Sequence, residues 1–164
     1  LLAWLLAEPD REGKGPVSPG RARIVALGLA LLFLLALWPA AGRLAANRLI
    51  RAAENRTLQA MRSGLDPAGR RLLEGNVAML GDAIRKDPAA ISARVALGAQ
   101  HLLLGHAESA VAAYRQALAI EPRPEIHLNL ARALRLAGRE EESRAELQIA
   151  LRLAPHLASQ IPSE

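Results

Sequence analysis

The residues able to do chemistry are few: four histidines, one acidic run and one pair of arginines. His101, His106, His127 and His156 are scattered, and no two of them fall at a metal-ligand spacing with a carboxylate partner, so they read as packed or solvated rings. Glu140, Glu141 and Glu142 follow Gly138 where a helical pattern begins, and there negative charge offsets the positive end of the helix dipole. Arg132 and Arg135 stand about one helical turn apart and offer either a solvated face or an anion contact. The sequence has no Gly-Lys-Ser/Thr phosphate loop and no Gly-x-Ser-x-Gly elbow. It also has no cysteine, hence no thiolate ligand or nucleophile. No catalytic residue, cofactor or metal is expected, which leaves binding.

The elements that would position these residues are helical. The chain of 164 residues is 51% apolar but only 2% aromatic; Ala and Leu supply the difference, favouring helix over strand. Ile24 to Gly42 carries no formal charge. As a helix it reaches roughly 28 Å, close to the hydrocarbon thickness of a bilayer. Trp38 near its end suits the headgroup level, and Pro39 and Gly42 are expected to weaken the helix there. A core helix would show a polar face, and this run shows none, so residues 24–42 are expected to span a membrane.

Residues 1–23 read as an apolar end, LLAWLLA, followed by an irregular linker over 8–23 with three Pro and three Gly. The chain opens on Leu1 rather than Met, and LLAWLLA is expected to close an earlier apolar helix. After the span, residues 43–88 hold two helices. One covers 43–63 with Leu44, Ile50, Ala53, Leu58 and Met61 along one side. Gly64 and Asp66-Pro67 separate it from a second over 67–86, whose Leu72, Leu73, Val77, Leu80 and Ile84 share a face. Arg43, Arg48, Arg51, Arg56, Arg62, Arg70 and Arg71 face only Glu54 and Asp66, so the net charge of +5 is concentrated just past the span. Anionic headgroups would attract it there. With so few aromatics to stack bases, nucleic acid is not the expected partner.

The remainder repeats itself at a period of 33. Leu97, Gly105, Ala117, Leu118 and Pro122 recur as Leu130, Gly138, Ala150, Leu151 and Pro155. Residues 89–123 and 124–156 each split into two amphipathic helices joined at Gly105-His106 or Gly138-Arg139, and 157–164 is left as a tail.

These copies resemble the tetratricopeptide repeat (TPR). The first matches at Leu97-Gly98, Gly105, Ala110, Tyr114, Ala117-Leu118 and Pro122, with His101 where an aromatic is usual. The second matches at Leu130-Ala131, Gly138, Ala150-Leu151 and Pro155, with Leu134 and Leu147 for aromatics and Ser143 for a small Ala. Ala83, Ile84 and Pro88 repeat the end of the pattern, which marks 67–88 as the second helix of a degenerate copy. The resemblance implies a short TPR-like helical solenoid, and with the apolar run before it the chain is expected to be all-α: one transmembrane helix followed by that solenoid.

The family's groove positions map onto Ser92, Val95, Ala99, Leu102 and Leu103 in the first copy and Glu125, Leu128, Arg132, Arg135 and Leu136 in the second. The apolar half could equally pack against helix 67–86. The Lys and Asn with which some members hold a C-terminal carboxylate are replaced by Val95 and Ala99, so that mode is not expected.

The function implied is a membrane-tethered scaffold or adaptor binding a protein or peptide, with the bilayer as its second partner. The alternative is the non-catalytic C-terminal portion of a bacterial O-antigen ligase-type glycosyltransferase, which the layout of span, Arg-rich helices and repeats also resembles. A bacterial inner membrane is the expected location. Basic residues are balanced across the span, so loop length decides topology: a short loop over 8–23 stays cytoplasmic and the repeats face outward. Without an earlier span the orientation reverses.

Overall fold

The computed structural model describes residues 19–160, with side chains over 26–159. The expectations for Leu1–Ala7 and for residues 161–164 lie outside the described residues. Six α-helices follow one another: α1 (Pro19–Arg62), α2 (Pro67–Lys86), α3 (Ile91–Leu103), α4 (Ala107–Leu118), α5 (Pro124–Leu136) and α6 (Glu140–Leu153). A 3-10 helix, Pro155–Gln160, comes last. Among the described residues there is no strand. They fall into two compact units that divide between Trp38 and Pro39.

The first unit contains the apolar part of α1. Its side chains from Leu27 to Leu37 are exposed, and Trp38 is 81% exposed. From Ala26 the helix is long and apolar enough to cross a membrane. Residues 19–23, expected in the linker, already belong to α1, and Pro39 lies inside the helix rather than ending it.

The second unit is a row of three helical hairpins: the rest of α1 with α2, α3 with α4, and α5 with α6. Each hairpin turns on a glycine with positive φ: Gly64 at 72°, Gly105 at 81° and Gly138 at 76°. At each, the amide after the glycine donates back across six residues: Leu65 to the Ala60 carbonyl (3.2 Å), His106 to His101 (2.8 Å) and Arg139 to Leu134 (2.9 Å). This pattern closes the last turn of a helix and needs a residue that tolerates the left-handed region. The turn at Gly64 therefore belongs to the same series as the two turns found by period. On the far side of that turn the Asp66 carboxylate accepts from the Gly69 amide (2.6 Å), and Pro67 occupies the first helical position of α2.

The packing differs from expectation on α1. Ala46, Ile50, Ala53 and Ala60 are buried, whereas Leu44, Leu58 and Met61 are more than half exposed. The buried set recurs at three- and four-residue steps, and its alanines let α2 approach closely. Ala46, Ile50 and Ala53 pack with Leu80 and Ala83 of α2 and with Ala90 and Ala93. Further along, Ala110, Val111, Tyr114 and Ala117 of α4 pack with Ile126, Leu130, Ala133 and Leu134 of α5. The 3-10 helix, expected as tail, buries Leu157 against Leu128, Ala150 and Ala154.

Ala117 and Ala150 have no exposed surface. Replacing either by Phe is expected to cost about 1–3 kcal/mol, because a packed interior takes extra carbons only by displacing its neighbours. Thermal melting of the two variants checks this, and an unchanged midpoint in both would contradict the assigned register.

Candidate functional site

The face presented by the first helix of each hairpin can be read by counting back from the turn glycine. Six positions before it stand Leu58, Ala99 and Arg132; three before it, Met61, Leu102 and Arg135; two before it, Arg62, Leu103 and Leu136. Leu58 is 54% exposed, Met61 55% and Leu136 67%. Arg62 and Arg135 are exposed too. The middle row is more covered: Ala99, Leu102 and Leu103 are half-buried. Leu102 packs against the α4–α5 core and Leu103 against Ala60, Leu73 and Leu104. The result is an apolar strip with arginines at its margins.

The residues expected to line this face divide accordingly. Ala99, Leu102, Arg132 and Arg135 occupy it. Val95 is half-buried and packs against the core around Tyr114 rather than against helix 67–86. Leu128 is a correction: it is 4% exposed and sits under the 3-10 helix, because Leu157 fills the place above it. Sequence reasoning missed Leu58 and Met61. The signal available was Gly64, whose spacing to Leu58 and Met61 equals that of Gly105 to Ala99 and Leu102.

Arg132 acts on Tyr114. Burial pushes the Tyr114 hydroxyl up to about 12, and the nearby Arg132 charge opposes the rise. The tyrosine is neutral at any physiological pH.

The acidic run at the start of α6 is partly neutralised. Arg139 donates to both oxygens of Glu142 (2.7 and 2.8 Å), and Arg115 reaches it from α4 (2.8 Å). The bond from Arg139, followed by the attraction of both guanidiniums, holds the Glu142 carboxyl below its usual value. Arg139 also reaches Glu108, which ties α4 to α6 across the hairpin boundary.

The histidines do not converge on one centre. His127 Nδ1 lies 2.6 Å from Glu146 Oε2, a carboxylate partner the sequence did not suggest. The His101 and His106 rings lie 6.0 Å apart. Among the described residues no three His, Cys, Asp or Glu side chains could hold a metal. Burial, and then the His106 charge, lowers the His101 pKa, and its Nδ1 is buried without a hydrogen-bond partner. The unfolded chain therefore binds a proton at His101 more readily than the folded one. Stability should be fully present above pH 6.5 and decline as pH falls through the lowered value. Melting temperatures from pH 7.5 to 5 should fall less steeply for His101→Gln than for the native chain. Identical slopes would exclude His101 as a contributor.

A buried polar cluster joins the first two hairpins. Thr57 donates to the Ala53 carbonyl (2.8 Å), Asn76 donates to that carbonyl (3.0 Å) and to the Thr57 hydroxyl (3.2 Å), and Gln100 donates to the same hydroxyl (2.8 Å). Asn76 is fully buried and Gln100 is 4% exposed. Three helices, α1, α2 and α3, are thereby fixed in register, because sliding any one would strand a buried amide.

Among solved structures, the chain is similar to TTC0263, a thermophilic TPR protein of Thermus thermophilus. The two share 28% identity and a TM-score of 0.62 over 79% of this chain and 71% of that one. MamA structures are more distant: MamA AMB-1 gives 19% identity and a TM-score of 0.46 over 70% of this chain and 79% of its own. No protein-family model matches the sequence, and no curated protein matches it. The second unit has the TPR fold.

Proposed function

We propose that the chain is a membrane-tethered interaction module whose first helices offer a protein or peptide partner an apolar strip edged by arginine. The observation that carries this is the exposure of Leu58 and Met61 on α1 and of Leu136 on α5, near the C-terminal ends of the first helices of the first and third hairpins, with Arg62 and Arg135 beside them. Large apolar side chains lined up at one face are retained where a partner covers them. Ala99, Leu102 and Arg132 complete the strip. The similarity to a TPR protein supports the same reading.

The tether is the apolar part of α1, whose exposed leucines, Phe33 and Trp38 suit lipid better than water. The location we favour is a bacterial inner membrane with the solenoid outside the cytoplasm.

Two experiments test these readings. A photo-crosslinking residue at Met61 or Arg135 should capture the same partner, and one at the exposed Gln116 of α4 should not; equal capture from all three sites would remove the strip as the binding face. For topology, alkaline phosphatase fused after Glu164 should be active, and fluorescence from a cytoplasm-only reporter at that point would reverse the orientation. Several spans encoded ahead of Leu1 would instead favour the ligase-type parent.

A further inference from the structure

We propose that Arg43 and Arg48 of α1, together with Arg85 and Lys86 of α2, form a docking site for anionic lipid headgroups at one end of the solenoid. The proposal rests on the membrane-tethered reading. The sequence places one basic cluster after the apolar run, but folding divides it in two and adds a segment that the sequence keeps apart.

The addition comes from Gly42. A Cβ at this position would lie 2.6 Å from the carbonyl oxygen of Lys86, so only glycine lets the last turn of α2 rest against α1 here. Arg43 and the Arg85-Lys86 pair therefore share one end of the first hairpin. Arg62, Arg70 and Arg71 belong to the other end, beyond a rise of about 30 Å along α1. There Arg70 donates to the Leu104 carbonyl (3.2 Å) and Arg71 to the Pro67 carbonyl (3.2 Å).

The charges at the Gly42 end suit a phosphate-bearing surface. Arg43, Arg48, Arg85 and Lys86 are exposed. Between Arg43 and Glu54 α1 carries no acid. The α2 end also carries two acids: Asp82 pairs with Arg85, so this guanidinium must exchange that partner for a phosphate, and the Asp87 carboxylate accepts from the Ala89 amide (3.1 Å). Basic residues in the last turn of α2 also complement the negative end of its dipole. Arg43 and Arg48 sit mid-helix and have no such role. Arg43 follows Trp38 by five residues of sequence, and an indole suits headgroup depth. Guanidinium forks match phosphate oxygens two at a time.

The test uses the full chain and vesicles of phosphatidylcholine alone or mixed equally with phosphatidylglycerol. Flotation with both vesicles reports the anchor. Native mass spectrometry of the detergent-extracted protein then reports the ratio of phosphatidylglycerol to phosphatidylcholine retained. Arg85→Gln/Lys86→Gln should lower that ratio on the order of fivefold for each charge removed. High salt should abolish the preference of the native chain. Arg70→Gln/Arg71→Gln, equal in charge but at the far end, should leave the ratio unchanged, and Lys86→Arg should retain it. Equal losses from both double variants, or none from the first, would overturn the site while leaving the anchor standing. Failure to float with either vesicle would overturn the anchor and this site with it.

Discussion

Replacing Gly98 by Ala should lower the melting temperature, although the same change in an exposed helix raises it. A helix interior normally gains about 0.5–1 kcal/mol from Gly→Ala, because alanine restricts the unfolded chain and glycine does not. At Gly98 the new Cβ would lie 2.7 Å from Cε1 and Cζ of Tyr114 and 2.9 Å from Cε2. The ring cannot retreat: Tyr114 is 2% exposed and packed among Ala110, Val111, Ile126 and Leu130. A net loss of about 1–3 kcal/mol is expected, roughly 4–10 °C in melting temperature, and Gly98→Leu should lose more. Gly75 provides the contrast, since its nearest neighbour would be Arg56 Nη1 at 3.7 Å and the site is exposed. Gly75→Ala should be neutral or stabilising. Calorimetry on both variants decides it: a gain at both positions would mean that α3 and α4 do not meet through the tyrosine ring. Tyr114→Leu should reduce the penalty of Gly98→Ala, and a double-mutant cycle measures that coupling.

The second large effect is on where the folded unit may be cut. The pattern of the sequence suggests a soluble, helical piece beginning near Asp66, with helix 67–86 as its cap. The packing moves that boundary back to Pro39. Without residues 39–65, Leu73 and Leu80 of α2 lose the covering alanines of α1, and Asn76 and Gln100 lose Thr57 and the Ala53 carbonyl. Exposing one side of two buried leucines and stranding two buried amides should cost on the order of 3–6 kcal/mol, comparable with the whole stability of a marginal domain. Residues 39–164 should melt cooperatively, whereas residues 66–164 should show a broad transition and lose hydrogen-exchange protection first in α2. Equal, sharp transitions from both pieces would show that α1 contributes nothing to the solenoid.

Much of the fold was legible because helices announce themselves locally. Gly105 and Gly138 at one period, Pro122 and Pro155 after each pair, and Asp66-Pro67 at the head of α2 are short-range signals whose physics acts within a turn or two. The helix over 67–86 was legible for the same reason. The face of α1 was not. Leu58 and Met61 are the larger side chains and suggest themselves as core, yet the close approach of α2 selected Ala46, Ala53 and Ala60 instead. Size misled because the interface is set by the distance between two backbones, not by the hydrophobicity of either helix alone. Leu128 was misplaced for a related reason: what covers it, Leu157, lies in a segment with no helical period to read.

By itself the sequence determined an apolar helix able to span a bilayer, an all-helical remainder and the repeat that pairs its helices, since periodicity and turn chemistry are properties of neighbouring residues. Only the tertiary structure decided that α1 completes a third hairpin, that Thr57, Asn76 and Gln100 share one buried polar cluster, and that Lys86 returns to Gly42. These depend on which surfaces meet across 20 to 45 residues of chain, and one residue type, glycine at 42 or 98, sets how closely they do. A glycine in a helix looks locally like a weakness. Whether it is a weakness or a contact is fixed by the atom that stands where its side chain would be.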